Sequence, residues 1–512
     1  MVTTRPQPAG DARAALDSTR RLHARIAAAI ALAVLATGTA AALHYAQLGL
    51  TTSHYDARAH LVVARRIFDS LTPGWPQIGA VWLPLPHLLN MLPVQVDAWY
   101  RSGFSAVVIS ILSMSAAAWG LGWLILRTTG SVAGACTAAA LIMVNPNVLY
   151  LQSTPMTEPL LFGTTVLGVA LTAAWLQRGA ASSATAPGLA LVAACLTRYE
   201  AWPITGAILA LACAIQLRDG ATVPAALRAC ARLALYPAVA IAVFSLNSKY
   251  TVGEWFTTGG FFVPENVEAL GHPLVALRQV REGLYLLSGT ALVWSAYAGT
   301  VAVVLGFIRS RAHAPLVLVL ALAGAAALPW YAYVNGHPFR IRYDLPLVVA
   351  CAAIAGAGIA LLRPRIGAVA GAVLVALAAW QAPPLDRTAP LIRESQLELR
   401  QKAGRALVTN YLQEHHDGRT IMMSMGSLAH YMHDLSHAGF AIRDFLHEGN
   451  GEAWWMAMSR PRGVVGWILV EERAEGGDTI YWEGQKNAAF FDGFERVAEG
   501  GNVGLYRWKG KG

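Results

Sequence analysis

The sequence predicts a mainly α, polytopic membrane bundle of about eleven spans, with a small α/β domain at its C-terminal end. Three observations predict it. The chain has 512 residues, 55% of them hydrophobic and only 13% charged, and a mean hydropathy of +0.44. A soluble chain carries about a quarter charged residues, so most of this one is built for lipid. Arginines recur singly or in pairs between apolar segments, the pattern that orients membrane helices. Composition changes sharply only after the last apolar segment, which makes 385–512 the one candidate soluble unit.

The net charge of +9 would suit a nucleic-acid partner if it were clustered. Its placement between apolar segments assigns it to membrane topology instead, and no nucleic acid is expected. Cys136, Cys195, Cys213, Cys230 and Cys351 fall in or beside apolar segments without zinc-ligand spacing. Neither a disulfide framework nor a cysteine metal site is expected.

Residues 1–25 form a polar tail, placed in the cytoplasm by Arg20, Arg21 and Arg25 beside the first span. The membrane domain is 26–384. Its first segment, 26–50, is long enough for a ~30 Å hydrocarbon core and lacks a convincing cleavage site, so it reads as an uncleaved span. An outer loop, 51–103, follows. Spans 104–126 and 132–150 lead to a short outer turn, QSTPMTEP, and a span ending at Trp175. The segment 187–217 is too long for one span and is interrupted by TRYEAWP, so it reads as two short helices meeting at the outer surface. Span 233–249 leads to an outer loop, 250–283, containing GEWFTTGGFFVPEN. A span ending at Arg309, then 315–334, the outer turn NGHPFRIRYDLP, 345–362 and 366–380 complete the bundle. Each expected inner turn carries arginine, and the count places 385–512 outside. In that domain 391–414 reads as helix. RTIMMSM and GVVGWILVEE read as buried strands, and FERVAEGG with VGLYRW as a closing pair.

The outer turns collect the unusual chemistry. Asp56 and His60 are four apart and share a helix face. Leu61, Ala64, Ile67, Phe68 and Leu71 recur at helical spacing, which reads as an amphipathic helix along the lipid interface. The prolines of WLPLPH argue against regular helix and for a folded segment holding His87 near the membrane. Asp56 is open to two roles, a helix cap or a base at the water–lipid boundary. The later turns add Glu158, then Arg198 and Glu200, then Arg340, Arg342 and Tyr343. Carboxylates serve as bases, and guanidinium forks suit a phosphate, so the set fits a group transferred from a phosphorylated lipid. Arg198 interrupts an apolar segment, where a cation calls for a partner. That partner is either a ligand anion or Glu200. In the C-terminal domain His430, His433, Asp434 and His437 fall on one helix face, a weak zinc pattern beside the commoner reading of structural or solvated histidines. The segment HEGN, 447–450, is either an acceptor-side loop over the membrane cavity or a plain turn.

On these motifs the chain resembles the GT-C superfamily of integral-membrane glycosyltransferases, which use polyprenyl-phosphate sugars, and within it the protein O-mannosyltransferase and aminoarabinose transferase type. The residues that carry the resemblance are the acid after the first span (HYDARAHL), the Glu after a short outer turn (STPMTEPLL), the hairpin broken by TRYEAWP, and the late outer turn FRIRYDLP. They cover roughly 26–380. The resemblance implies a lipid-linked sugar donor and a lipid, glycan or protein acceptor, at the outer face of a plasma or inner membrane. It implies Asp56 and Glu158 as catalytic residues. Arg198, Arg340, Arg342 and Tyr343 would lie at the donor phosphate, with His60, His87 and Glu200 nearby. Many members carry two adjacent acids in the first loop. Here Ala57 follows Asp56, so Asp56 stands as a lone base and no metal ligand is assigned. No cofactor is called for, and a divalent metal remains an open question. The alternative class is a lipid-linked sugar transporter or flippase. Transporters of this size commonly show two similar halves, and no internal repeat is found.

Overall fold

The computed structural model describes residues 9–179, 181–256, 266–397, 399–474 and 477–510, with backbone alone for 9–16 and 399. Most of the 253–266 stretch singled out above lies outside the described residues.

Helix dominates. In chain order come α1 (Ala9–Gln47), α2 (Tyr55–Arg65), α3 (Leu85–Asn90), α4 (Asp97–Ser102), α5 (Phe104–Thr129), α6 (Val132–Met143), α7 (Pro146–Leu151), α8 (Glu158–Gln177), α9 (Thr185–Cys195), α10 (Ala201–Arg218), α11 (Val223–Val252) and α12 (Pro273–Arg309). A 3-10 segment, Ala314–Ala326, runs into α13 (Ala327–Val334). The bundle ends with α14 (Leu345–Ile359) and α15 (Pro364–Gln381). Among the described residues, nine helices are long and apolar enough to cross a membrane, and α6 and α9 are shorter apolar helices. α6 stands where a full span, 132–150, was expected, and α9 and α10 are the two helices expected of 187–217. The expected span 132–150 is in fact broken: it stops at Val144 and restarts as α7 behind an Asn145 cap.

Small residues let the spans approach closely. α5 packs on α1 and α8, and α14 on α12 and α6. A Cβ on Gly356 of α14 would lie 2.4 Å from that of Ala138 on α6. With no hydrophobic drive between helices in lipid, such contacts supply the dispersion that holds the bundle.

The break inside α12 has partners for the groups it frees. Gly289 (φ 74°, ψ 173°) breaks α12 and opens the bond that would join the Ala291 N–H to the Leu287 carbonyl. The Leu287 carbonyl accepts from Asn145 Nδ2 at 2.8 Å and Asn147 Nδ2 at 3.0 Å. The Ala291 N–H donates to Gln381 Oε1 at 2.8 Å. Three side chains from two other elements thus satisfy the groups that lipid could not.

The C-terminal domain contains α16 (Pro390–Leu397), α17 (Leu399–His415), α18 (Met425–Ser436), α19 (Glu452–Ser459) and α20 (Thr479–Lys486). Its sheet has the order β2-β1-β3-β5-β4, from β1 (Ile421–Met423), β2 (Phe445–Leu446), β3 (Trp467–Glu471), β4 (Phe494–Gly500) and β5 (Val503–Trp508). The first three are parallel and β5 runs antiparallel to β3 and β4. The α/β expectation and four of the strands match. β2 was not foreseen, since two residues carry no periodic signal.

Two expectations for the first loop are corrected. The helix expected to run to Leu71 along a lipid interface ends at Arg65, with Phe68 and Leu71 beyond it exposed, and the part that forms is covered by protein. Asp56 to Ala64 are buried, and Leu61, Val62 and Ala64 share an apolar core with Val408, Leu428, Met432 and Phe445 of the C-terminal domain. Its apolar face is thus covered by protein. Nor is WLPLPH wholly irregular, since Leu85–Asn90 is a short α-helix with Pro86 in its first turn. Proline is tolerated there because that N–H has no helical acceptor.

Gly289→Ala should destabilise the bundle by about 1–3 kcal/mol, because only glycine occupies this backbone region comfortably. A Cβ there would also stand 2.6 Å from Gln381 Oε1. Thermal unfolding of the detergent-solubilised protein, against wild type, measures the loss.

Candidate functional site

The first acid is held by its own helix start. His54 is the N-cap of α2, with φ −71° and ψ 133°, and its Nδ1 accepts the Asp56 N–H at 3.1 Å. The cap role is therefore taken by His54, and the Asp56 carboxylate is left for other work. It forms an ion pair with Arg342 Nη2. Arg342 lies in a 3-10 turn, Ile341–Asp344, at the head of α14, and is 6% exposed. Its guanidinium carbon stands 5.9 Å from the Tyr55 ring centre and 5.5 Å from that of Tyr343. Its Nε and Nη1 are buried without a hydrogen-bond partner among the described residues.

The second centre is Arg198, at the tip of the α9–α10 hairpin. All three of its nitrogens are engaged. Nε and Nη2 donate to Glu200 Oε1 at 3.0 and 2.7 Å, and Nη1 donates to Thr157 Oγ1 at 3.0 Å. Nη1 also lies 3.1 Å from Glu158 Oε1. Burial alone would favour the neutral guanidine, but Glu158 and Glu200 outweigh it and hold Arg198 firmly protonated. Glu158 is fully buried in the first turn of α8, where the helix dipole favours a carboxylate. Of the two partners weighed for Arg198, the protein supplies Glu200 and adds Glu158. Three of the five Arg198 N–H groups are used in these hydrogen bonds, and two carboxylates already balance its charge.

The third feature is a pair of histidines. His60 Nδ1 and His87 Nε2 are 3.0 Å apart, with the Trp82 ring 4.0 and 5.9 Å from theirs. Burial lowers the pKa of both, His87 to about 3, so the pair is uncharged at neutral pH. A cavity of about 20 Å³ lies against them, lined also by Asn90, Ser110 and Thr157. That is room for about one water. The expected grouping of His60, His87, Asp56, Glu158, Arg198, Glu200, Arg342 and Tyr343 holds in space. His60 lies within electrostatic reach of both Arg198 and Arg342, and Arg342 of Glu158. Arg340 is half-buried just before the 3-10 turn, and its carbonyl accepts from the Tyr333 hydroxyl at 2.9 Å. Because 341–344 is a turn and not extended chain, Arg340 and Arg342 are not set side by side by strand alternation.

The C-terminal domain clamps α2 and the loop behind it. Arg58 pairs with Asp434. Asp69 accepts the N–H groups of Ile442 and Arg443 at 3.3 and 3.2 Å. Gln77 Nε2 donates to the Gly449 carbonyl at 2.8 Å, and Asn450 Nδ2 donates to Ser70 Oγ and Thr72 Oγ1 at 3.1 and 3.0 Å. The HEGN segment is thus a docking turn on the first loop. His430 and His433 of the histidine face are buried against protein. His430 faces Arg405, and His433 Nε2 meets the Tyr100 carbonyl at 3.1 Å. Among the described residues no group of three or more His, Cys, Asp or Glu is set to hold a metal.

Sequence reasoning missed His54 and Glu394. His54 Nε2 lies 3.6 Å from Glu394 Oε1 on α16. The signal for His54 was present, two residues before Asp56 at a helix start. Glu394 had none, because only the folded chain brings α16 to the first loop.

The chain matches no protein-family model, and no curated protein matches it. Arg198→Gln should cost about 3–5 kcal/mol, since it leaves two buried carboxylates without their cation. Loss of folded yield and thermal stability reads this out, and adding Glu158→Gln should restore part of it.

Proposed function

We propose that this chain is a membrane glycosyltransferase, of the GT-C kind its motifs resemble. It would move a sugar from a polyprenyl-phosphate donor to an acceptor hydroxyl on the extracytoplasmic face. The observation that carries the reading is the Asp56–Arg342 pair, with two Arg342 nitrogens still unused. A buried guanidinium with spare donors is an anion site. A carboxylate beside it can take a proton from an acceptor held near that anion.

In this mechanism Arg342 binds the donor phosphate and stabilises the charge that grows on it as the bond from the anomeric carbon to the phosphate oxygen breaks. Asp56 receives the acceptor hydroxyl proton as the new bond to the anomeric carbon forms. Tyr343 and Arg340 border the phosphate. Arg198 acts from behind, holding Glu158 and Glu200 neutralised and the hairpin tip in place. His60 and His87 are uncharged and line the one-water cavity, so they shape the acceptor side without adding charge. Sidedness rests on the arginines. Arg127 is within electrostatic reach of Arg20 and Arg178, so these basic ends gather at one end of the bundle. The positive-inside bias assigns that end to the cytoplasm and the site to the opposite face.

Asp56→Asn should lower transfer per folded protein by about 10²–10⁴-fold, the usual contribution of a general base, and should also lower thermal stability, because it leaves buried Arg342 without its carboxylate. Arg342→Lys keeps the charge but loses the planar fork, and should raise the donor KM about tenfold while acceptor dependence stays the same. Purified protein assayed with a lipid-phosphate sugar and no ion gradient decides between transferase and flippase. Near-normal turnover by Asp56→Asn would move the base elsewhere.

For sidedness, a cysteine at exposed Asn487 should react with an impermeant thiol reagent in intact cells. Labelling only after lysis would reverse the orientation.

A further inference from the structure

We infer that Glu394 of α16 is a positioning residue for Asp56, acting through the ring of His54. The inference rests on the placement of Asp56 proposed above and goes beyond it, because it brings α16, which follows the last span and packs on the bundle, into the site.

The geometry starts at the helix cap. His54 Nδ1 accepts the Asp56 N–H at 3.1 Å, so this nitrogen bears no proton. The ring proton is then on Nε2, which faces Glu394 Oε1 at 3.6 Å. Both atoms are buried, and neither has a hydrogen-bond partner among the described residues. His54 is 1% exposed and the Glu394 side chain 16%. Each is therefore the partner within reach of the other, and a small approach makes the bond. Tyr55 stacks on the His54 ring at 4.7 Å and limits its rotation.

The consequence reaches Asp56 directly. With a proton on Nδ1, His54 could not accept the Asp56 N–H, and the first turn of α2 would lose its cap. The carboxylate two residues after the cap would then no longer be aimed at Arg342. A carboxylate at Nε2 favours the tautomer that keeps the cap, as a carboxylate behind a histidine does in metal sites and catalytic triads. Glu394 is suited to this. Burial pushes its pKa up, but His54 together with Arg342 and Arg340 outweighs that and holds it in the carboxylate form. α16 that carries it is fixed to the bundle, because the Leu391 N–H donates to Asn147 Oδ1 at 3.1 Å.

The test uses the full chain in lipid nanodiscs with ¹⁵N-labelled histidine. The His54 signal is identified by its loss in His54→Asn, which keeps a capping oxygen. Wild type should show His54 protonated at Nε2 alone, and Glu394→Gln should keep this, because its amide oxygen still accepts. Glu394→Ala should shift His54 to a mixture of tautomers. In turnover, Glu394→Ala should lower kcat about tenfold with donor KM unchanged. In the His54→Asn background the same change should cost less than about twofold, because asparagine has no tautomer to set. Wild-type His54 protonated at Nδ1, or a Glu394→Ala spectrum equal to wild type, overturns the proposal. So does a tenfold kcat loss that persists in the His54→Asn background. If Glu394→Ala does not fold, Glu394→Met, which fills similar space without an acceptor, takes its place with the same expected outcomes. A correct tautomer pattern in a protein that transfers no sugar would leave the positioning role standing and remove the glycosyltransferase reading.

Discussion

Charge buried at the end of a membrane bundle has to be neutralised by other parts of the same chain, and the arrangement of this protein follows from that constraint. Asp56 and Arg342 come from the first and the last of the turns on their side, yet they form one ion pair. Arg198 reaches Glu158 from one helix start and Glu200 from its own hairpin. Each of these charges alone would cost several kcal/mol in a site of low dielectric. Together they tie the turns at one end of the bundle into a single network, and the apolar helices between them set only how far apart the tips stand.

The same accounting governs the backbone. The break at Gly289 is tolerated because Asn145, Asn147 and Gln381 meet the groups it frees. Asn145 does this while also capping α7 through its other atom, with Val148 N–H at 3.2 Å. The interruption of the expected 132–150 span and the kink in α12 are therefore one feature, since the cap that starts α7 is the side chain that repairs α12. Neither irregularity would be stable in lipid without the other.

The bundle was legible in the sequence because apolar length and arginine placement are local signals. So were the hairpin tip at Arg198 and the terminal strands β4 and β5. What could not be read depends on contacts between distant segments. The stripe Leu61, Ala64, Ile67, Phe68 and Leu71 has helical spacing, but periodicity cannot say that the helix stops at Arg65 or that a second domain covers Leu61 and Ala64. Here Leu428 and Met432 help cover them. The choice of Glu158 and Glu200 for Arg198, over a ligand, rests on two helix ends meeting. Spacing offered Glu200 alone. On the histidine face of α18 the register is again local and the neighbours are not. His430 and His433 share a helical register, but each is claimed by a different neighbour, Arg405 and Tyr100.

The two buried arginines then divide the work by how many acids each already holds. At an effective dielectric of about 20 a unit charge pair 4 Å apart is worth about 4 kcal/mol. Arg198 has two such partners, so an arriving anion would meet two carboxylates beside it. Arg342 has one contacting carboxylate and keeps Nε and Nη1 unused. An anion near the network therefore gains at Arg342 and loses at Arg198. The more tightly Arg198 is held, the more firmly it fixes the polar turn 152–158, whose residues are all buried around it. In the reaction proposed above, rigid neutralisation on one side and spare hydrogen-bonding capacity on the other would let a single cluster be both a structural knot and a receptive site.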